Sequence, residues 1–364
     1  MKFIDKDLKA VQEARVLMEE AAEAKKTLAL FEQKKLNRIA ACMMDALELK
    51  LEQLTEEAVR ETGYGDAKDQ LLQAKLLIKK MRKTLEPMKC VGVLSTDEAQ
   101  GVLEIGVPMG VIAAAAPAVS PVAAVLSAAV CAVKSGNAIV FAPHPRAVKT
   151  TVRTVHILEE AALEAGLVRG ALSCSETAAK EGAIELLSHP ETNLILNMGE
   201  RPLLEACSRT GCPVLYGGIA PGPVFIEKTA DISRAAACIT DSRGFNCGTG
   251  AGSEQYVVAD RQIAAQVKEE LIRHGAYFMT ETEQKQLTAF LGLEKGTGLP
   301  DKEFIGKTAA WLAQKAGFAV PEHTKVLVSE QSYITDFNPY AKGLLCPVLA
   351  FTLKKTGFMP VKMY

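Results

Sequence analysis

Residues 110–142 read GVIAAAAPAVSPVAAVLSAAVCAVKSGNAIVFA, and this stretch decides the fold. Gly110–Ala115 is a short run of small apolar residues and is predicted to form a buried strand. An Ala- and Val-rich helix is predicted over Pro121–Lys134, with proline at its first position, and Ala138–Phe141 is the next apolar run. Strand, helix and strand at this short spacing predict a β-α-β unit with parallel strands.

The same region includes a long uncharged segment that has a second explanation. Val107–Val133 contains no charged residue and is long enough for a helix that crosses a membrane. However, Pro117 and Pro121 divide it into two short pieces, and Ser120 lies between them. We therefore predict a strand, a turn and a helix inside a globular domain, and no membrane segment.

The alternation of strands and helices continues on both sides of residue 220. Residues 5–84 read as helices, and the elements predicted after Phe141 are Lys149–Ala165, Ala171–Cys174, Thr177–Ser188, Asn193–Asn197, Leu203–Thr210 and Pro213–Tyr216. A second alternating series begins near Pro223, after the Gly- and Pro-rich stretch Gly217–Pro223. The pattern predicts an α/β protein with a doubly wound parallel sheet, which binds ligands at the carboxyl ends of its strands. It also predicts two domains, residues 1–220 and residues 221–364.

Composition excludes several classes of protein. The 364 residues include 42 Lys and Arg, 43 Asp and Glu and 48% hydrophobic residues, which is the balance of a globular protein rather than a disordered or nucleic-acid-binding one. The nine cysteines form no CxxC pair, and none stands near a histidine at zinc-ligand spacing, so no metal site is predicted. The opening MKFIDKDLKA lacks an apolar signal segment, and we expect a cytoplasmic protein with reduced thiols.

Two loops that follow predicted strands are candidate sites. Ser120 is the polar residue of the loop after Gly110–Ala115, where its hydroxyl could donate a hydrogen bond to a reacting oxygen. Alternatively, Ser120 caps the helix that Pro121 begins. In the segment Pro143-His144-Pro145-Arg146, the imidazole or the guanidinium could contact a nucleotide. The other explanation of that segment is a rigid proline-rich turn.

Two further segments carry glycines. Gly199-Glu200-Arg201-Pro202 also lies between a strand and a helix, although one glycine is far short of a GxGxxG motif. Residues 243–255 read RGFNCGTGAGSEQ, in which Cys247 is flanked by small residues. Such a cysteine could be a nucleophile with backbone N–H groups as oxyanion donors, or it could fill space in the core like other cysteines.

Together these segments resemble the aldehyde dehydrogenase superfamily, and within it the CoA-acylating branch of acetaldehyde and propionaldehyde dehydrogenases. The most specific segments are 106–112 (GVPMGVI), 134–146 (KSGNAIVFAPHPR), 230–232 (ADI) and 253–255 (SEQ). The resemblance covers nearly the whole chain. It implies an aldehyde dehydrogenase-like fold: N-terminal helices with a Rossmann-type nucleotide-binding domain in residues 1–220, and an incomplete catalytic-type α/β domain in residues 221–364, truncated relative to the family.

The resemblance also implies a chemistry. In the family, a cysteine thiolate attacks a small aldehyde, hydride passes to NAD or NADP, and coenzyme A takes the acyl group from the resulting thioester. Pro143, His144, Arg146, Gly199 and Gly218 fall at cofactor-side positions. Hydrolytic members carry Glu-Leu-Gly-Gly near the nicotinamide, where this chain has residues 215–218 (LYGG), in keeping with the acylating branch.

The chain departs from the family at its catalytic motifs. Acylating relatives read like FDNGxICASEQ, and in that register the nucleophile position is Ala251, while a hydrolytic register places it at Thr249. Cys247 lies four residues before Ala251, where the family usually has asparagine. The oxyanion asparagine of the family motif TPxTNPT is replaced by Ser120 in APAVSPV.

Two hypotheses follow from the resemblance and its departures. One is an active acylating aldehyde dehydrogenase that recruits Cys247 as the nucleophile. The other is a catalytically impaired or dead paralogue that binds a nucleotide or serves as a scaffold for a partner subunit. Family members pair through a strand near the C-terminus that bridges two subunits, and no segment after Pro347-Val348-Leu349 resembles that strand. The expected assembly is therefore a homodimer or a hetero-oligomer with a full-length relative. Association with a bacterial microcompartment is an alternative to a free cytoplasmic location.

Overall fold

The computed structural model describes residues 5–218, 220, 222–293, 302–333, 340 and 343–354. The chain divides into two compact units. The first consists of Met1–Gly63 and Ala67–Gly218, and the second of Tyr64–Asp66 and Ile219–Tyr364. The three residues Tyr64–Asp66 therefore pack with the second unit, although the sequence pattern assigned them to the first domain.

The first unit begins with four helices. They are α1 (Lys6–Leu28), α2 (Gln33–Glu48), α3 (Leu51–Thr62) and α4 (Ala67–Leu85). Helix α1 buries small apolar side chains at every third or fourth position, among them Ala14, Met18 and Ala21, which is the spacing of one helix face. The side chain of Asp5 accepts hydrogen bonds from the first free N–H groups of α1 and so caps it.

A two-stranded antiparallel ribbon and a parallel sheet follow in the first unit. Strands β1 (Gly92–Asp97) and β2 (Val102–Gly106) form the ribbon. The elements that follow are β3 (Val111–Ala115), α5 (Pro121–Lys134), β4 (Ala138–Ala142), α6 (Val148–Glu164), β5 (Leu172–Cys174), α7 (Lys180–Ser188), β6 (Thr192–Asn197), α8 (Leu204–Arg209) and β7 (Val214–Tyr216). The sheet is parallel throughout with the order β5-β4-β3-β6-β7. Strand order reverses between β3 and β6, which is the point where doubly wound sheets bind ligands.

The second unit is another parallel sheet with helices between its strands. Its elements are β8 (Gly222–Ile226), α9 (Ile232–Gly244), β9 (Glu254–Ala259), α10 (Ala264–Arg273), β10 (Ala276–Phe278), α11 (Glu281–Phe290), α12 (Ala309–Ala316), β11 (Val326–Glu330) and β12 (Val348–Leu353). The strand order is β10-β11-β12-β9-β8, so β12 pairs with β11 on one side and β9 on the other.

The uncharged segment Val107–Val133 forms strand β3, a loop and helix α5, as predicted. Every residue of β3 is buried, because helices cover both faces of a parallel sheet. Within the part of the chain that the structure describes, no helix combines the length and the hydropathy needed to cross a membrane. Strand β10 and helices α11 and α12 were not predicted from the sequence.

Candidate functional site

The carboxyl ends of four strands of the first sheet meet at one edge. Backbone hydrogen bonds join the residues immediately after them: the Ala116 N–H donates to the Ala142 carbonyl at 2.9 Å, and the Met198 N–H donates to the Ala115 carbonyl at 3.1 Å. The Gly217 N–H donates to the Asn197 carbonyl at 2.9 Å. The loops after β3, β4, β6 and β7 therefore lie next to one another, at the edge where a doubly wound sheet binds its ligand.

His144 and Glu200 connect two of these loops. Nδ1 of His144 accepts a hydrogen bond from the Arg146 N–H at 2.9 Å, so the proton of the neutral ring belongs on Nε2. That Nε2 lies 3.7 Å from a carboxylate oxygen of Glu200. Pro143 is buried and Arg146 is exposed. The structure therefore brings the predicted cofactor residues after β4 together with the turn that contains Gly199.

The turn after β6 is closed by a buried asparagine. The side-chain amide of Asn197 accepts a hydrogen bond from the Glu200 N–H at 2.7 Å and donates one to the Glu200 carbonyl at 2.9 Å. Gly199 has a φ of +106°, and a Cβ atom there would lie 3.0 Å from the Gly217 carbonyl oxygen. Glycine is therefore required both by the backbone conformation and by the close approach. At Gly218, a Cβ atom would lie 2.6 Å from the ring of Tyr216.

Ser120 occupies the N-cap position of α5, and Pro121 follows at the first helical position. The alternative prediction of Ser120 as the N-cap residue is therefore confirmed in position, although its side chain makes no capping hydrogen bond. The residue has a φ of 46° and a ψ of 53°, in the left-handed region that a serine rarely adopts. Only 9% of it is exposed. A polar side chain is thus held in an unusual conformation at the end of a central strand.

In the second unit, a buried guanidinium organises the segment between α9 and β9. Arg243 is 2% exposed and donates hydrogen bonds to Ser253 Oγ and Gln255 Oε1, each at 2.9 Å. It also donates to the carbonyls of Leu344 and Val348 beside β12. Burial lowers the pKa of Arg243 to about 10, so it remains protonated at neutral pH. The sequence pattern assigned no role to Arg243, because its partners are distant along the chain.

Ala251 lies on the loop that this guanidinium holds in place. The loop is closed by the Ser253 hydroxyl, which donates to the Gly250 carbonyl at 2.8 Å, and the Ala251 carbonyl accepts from the Ala220 N–H at 3.0 Å. Ala251 itself is exposed. Its methyl group offers neither a nucleophile nor a proton-transfer group.

Cys247 lies in a strained segment of the same unit. Asn246 and Cys247 both have left-handed backbone conformations, with φ values of 48° and 53°. Asn246 Oδ1 accepts a hydrogen bond from the Asp66 N–H at 2.8 Å, and its Nδ2 donates to Thr249 Oγ1 at 2.7 Å. A Cβ atom at Gly248 would lie 2.3 Å from the Cys346 carbonyl carbon. The packing on both sides therefore enforces the unusual backbone at Cys247.

All nine cysteines lie in the described ranges, and all are free thiols. Cys174, Cys207 and Cys346 are buried, and burial raises the pKa of Cys346 to about 12, which keeps its thiol protonated. Cys247 is half-buried. No group of three or more His, Cys, Asp or Glu side chains among the described residues could hold a metal ion.

A cavity of about 400 Å³ opens in the first unit, beside the loops after β4 and β5. The residues that line it are Lys6, Lys9, Pro145, Val148, Glu176, Thr177 and Ala178. This volume is in the range of small-molecule sites, which span roughly 300–1,000 Å³. The sequence pattern did not predict the two lysines as site residues, because nothing local links helix α1 to the loops.

Comparison with known proteins shows what the chain resembles. Residues 5–288 match the model of the aldehyde dehydrogenase family. The bifunctional aldehyde-alcohol dehydrogenase AdhE of Escherichia coli (strain K12) is 31% identical over 341 residues, which is 93% of this chain and 38% of that protein. The chain thus spans less than two fifths of the length of that relative.

Solved structures share the fold. The crystal structure of a probable aldehyde dehydrogenase from Listeria monocytogenes superposes with a TM-score of 0.92 at 36% identity, covering 97% of this chain and 78% of that one. The propionaldehyde dehydrogenase of Rhodopseudomonas palustris, crystallised with bound CoA and an acylated cysteine, gives a TM-score of 0.83 at 25% identity, covering 94% of this chain and 77% of that one. The fold class predicted from the sequence is therefore confirmed.

Proposed function

Because the chain belongs to the aldehyde dehydrogenase family, and to its CoA-acylating branch, we propose that it binds a pyridine nucleotide and coenzyme A but lacks the covalent step of acyl transfer. It would then act as a nucleotide-binding subunit rather than as a complete dehydrogenase. The observation that carries this proposal is Ala251. The loop is fastened by Arg243 and Ser253, and by resemblance to the acylating branch Ala251, with its methyl group, stands at the position of the family's nucleophile.

Several features of the first unit support nucleotide binding. His144 and Glu200 approach to 3.7 Å at the carboxyl edge of the sheet, and the glycine at 199 lets the turn after β6 pass close to Gly217. The neighbouring cavity is large enough for an adenosine group, and Pro145 and Val148 give it an apolar wall. These residues fit a pyridine nucleotide, which would supply a hydride acceptor when bound.

The catalytic side chains of the family are replaced at two positions. Removing one oxyanion donor generally lowers the rate by about 10²–10³-fold. Removing the nucleophile of a covalent mechanism abolishes the pathway through the covalent intermediate. Ser120 retains a hydroxyl donor at the oxyanion position, whereas Ala251 retains nothing. The missing nucleophile at residue 251 is therefore the change that prevents the covalent step.

A second candidate function is acylating aldehyde dehydrogenase activity with Cys247 as the nucleophile. The left-handed backbone of Cys247 favours it, since strained conformations of this kind are concentrated at functional sites. The thiol is also half-buried rather than enclosed, unlike Cys346.

The experiment is an assay of NAD- and CoA-dependent oxidation of acetaldehyde and propionaldehyde, combined with calorimetry of NAD+ and CoA binding. We expect the wild-type protein to bind both molecules and to show no turnover above the background rate. Ala251→Cys should raise the rate by at least about 10²-fold, and Ala251→Cys with Ser120→Asn should raise it further. Cys247→Ala is the matched control.

The outcomes separate the two candidates. Wild-type turnover that Cys247→Ala abolishes would establish the second candidate and overturn the first. Wild-type turnover that persists in Cys247→Ala would show that neither residue assignment is right. Absence of nucleotide binding would overturn the first candidate at its premise.

The proposal extends to assembly and location. A subunit that cannot transfer an acyl group would need an active relative as its partner. The preferred assembly is therefore a hetero-oligomer with a full-length relative, and a homodimer is the alternative. The cytoplasm, or a bacterial microcompartment within it, remains the proposed location. Sedimentation velocity of the purified chain, alone and mixed with an acylating aldehyde dehydrogenase from the same cell, tests the assembly. A monomer in both samples would contradict it.

A further inference from the structure

The cavity of the first unit has two cationic side chains at its wall that come from an unexpected element. Lys6 and Lys9 belong to helix α1, whereas the rest of the lining comes from the loops that follow β4 and β5 and from Val148, the first residue of α6. The two loops are at the ligand-binding edge of the sheet. The lining residues at the sheet edge include no lysine or arginine, so helix α1 supplies the positive charge of the pocket.

A carboxylate on the same helix fixes these lysines relative to the pocket. Glu13 accepts hydrogen bonds from the N–H groups of Glu176 and Thr177, at 2.5 and 3.0 Å. Residues 6, 9 and 13 are three and four positions apart, so they lie on one face of α1. The anchor at Glu13 thus holds the face that carries Lys6 and Lys9 against the loop after β5.

The charge balance of the pocket favours an anion. Two lysines and one glutamate, Glu176, are the charged residues among those lining it. A carboxylate oxygen of Glu176 lies 4.0 Å from His156 Nε2. The carboxylate of Glu13 is not among the lining residues, and its two oxygens accept hydrogen bonds from backbone N–H groups.

We propose that Lys6 and Lys9 bind the phosphate monoester carried by the ribose of an adenine nucleotide, which is the 2′-phosphate of NADP or the 3′-phosphate of coenzyme A. A monoester of this kind carries a charge of about −1.5 to −2 at pH 7, which matches two ammonium groups. The apolar wall formed by Pro145 and Val148 suits the adenosine to which the phosphate is attached. The inference rests on the proposed function, because it specifies the nucleotide that the same site selects.

The test is calorimetry with three small probes: 5′-AMP, 2′,5′-ADP and 3′,5′-ADP. The wild-type protein should bind at least one of the two bisphosphates about tenfold or more tightly than 5′-AMP, since charge-assisted hydrogen bonds are worth about 1.5–3 kcal/mol each. A preference for 2′,5′-ADP assigns the site to NADP, and a preference for 3′,5′-ADP assigns it to coenzyme A. The preference should weaken as salt concentration rises.

Charge variants decide whether the lysines are responsible. Lys6→Gln with Lys9→Gln should reduce the preference to within about twofold and leave 5′-AMP binding unchanged, because each lost charge-assisted hydrogen bond removes about a factor of ten. Glu176→Gln should strengthen bisphosphate binding. Lys34→Gln with Lys50→Gln removes two exposed lysines outside the cavity and is the matched control. Lys6→Arg with Lys9→Arg keeps the charge and should retain the preference.

Each outcome supports or overturns the inference. Equal binding of all three probes by the wild type, or a preference that survives in the Lys6 and Lys9 double variant, would overturn it while leaving the proposed nucleotide binding intact. Absence of binding by any probe and by NAD+ would overturn both proposals. Circular dichroism confirms that the variants are folded.

Discussion

At the scale of single residues, left-handed backbone occurs at Ser120 and Cys247, two positions where the sequence resemblance predicts a departure from the family. Among the residues that the structure describes, three that are not glycine have positive φ: Ser120, Asn246 and Cys247. Asparagine tolerates this left-handed conformation, whereas most other L-residues lose about 1–2 kcal/mol in it. By resemblance, relatives have asparagine at the positions of Ser120 and Cys247. Ser120 and Cys247 thus adopt here a conformation that asparagine would adopt at a lower cost.

Cys247→Asn should stabilise the second unit. Because asparagine tolerates the left-handed region, the free energy of unfolding should rise by about 1 kcal/mol. Trp311 is the single tryptophan of the chain and lies in the second unit, so urea unfolding followed by its fluorescence measures this change. Cys247→Ala leaves the backbone strain in place and serves as the control. A variant with asparagine that is less stable than the alanine variant would contradict the explanation.

At the scale of single elements, helix α11 shows how a short polar helix is secured at its start. Thr280 and Glu283 form a capping box: the Thr280 N–H donates to a Glu283 carboxylate oxygen at 2.7 Å, and the Glu283 N–H donates to Thr280 Oγ1 at 3.3 Å. The Tyr277 hydroxyl also donates to Glu283, at 2.9 Å. Burial alone would raise the pKa of Glu283, but these hydrogen bonds outweigh it and hold that pKa below its ordinary value.

Glu283→Gln should lower the stability of the second unit in a pH-dependent way. A carboxyl whose pKa is lower in the folded chain stabilises it above its ordinary pKa, and this contribution is lost as the pH falls through the lowered value. We expect a loss of about 1 kcal/mol at pH 7, which shrinks toward zero near pH 3. Trp311 contacts Phe290 of α11 at a ring-centroid distance of 6.0 Å, so its fluorescence reports on this helix.

Glu281→Gln is the control for that variant, since Glu281 lies in the same first turn and is not part of the capping box. It should have a smaller effect at pH 7. A Glu283→Gln effect that is equal at pH 7 and pH 3 would show that the capping carboxylate is not the stabilising group.

The elements that the sequence predicted well are those with continuous apolar runs. Strand β3 and helix α5 follow directly from residues 110–134, because parallel strands covered on both faces have no polar positions. Helix α11 was missed because ETEQKQLTAF is mostly polar, and only Leu287 within it is fully enclosed. The signal that could have found it is the Thr-x-x-Glu spacing of its capping box.

For the candidate site, the sequence predicted positions but not geometry. The loops after β3, β4 and β6 were identified as candidates, since strand ends can be located from apolar runs. The partners of Arg243, the approach of His144 to Glu200 and the lysines of α1 depend on residues far apart in the chain. The left-handed backbone conformations of Ser120 and Cys247 could not be predicted either, because serine and cysteine rarely adopt this conformation.

At the scale of the whole molecule, each unit contains a buried free thiol. Cys174 lies in the first unit and Cys346 in the second, and both are buried. Burial raises the pKa of Cys174 far above its ordinary value and that of Cys346 to about 12. Both thiols are therefore protonated and shielded in the folded chain. They report separately on the integrity of the two units.

Pulsed alkylation in increasing urea should label Cys174 and Cys346 only as their own unit unfolds, while Cys238, which is exposed, should react at all urea concentrations. Peptide mass spectrometry measures the three sites together. Because an unfolded thiol ionises near its ordinary pKa and the native ones do not, the free energy of unfolding should also fall as the pH rises above about 9. Rapid labelling of Cys346 in the absence of urea would contradict its enclosure.

The central place of β12 has a consequence for how the second unit is made. Strand β12 separates β9 from β11, and it is the last strand of the described chain to leave the ribosome. Until then, β8 and β9 can form only one incomplete sheet and β10 and β11 only another, each with an unpaired edge. The second unit must therefore complete its sheet late in synthesis, after a search over a long sequence separation, whereas the first unit can assemble while translation continues.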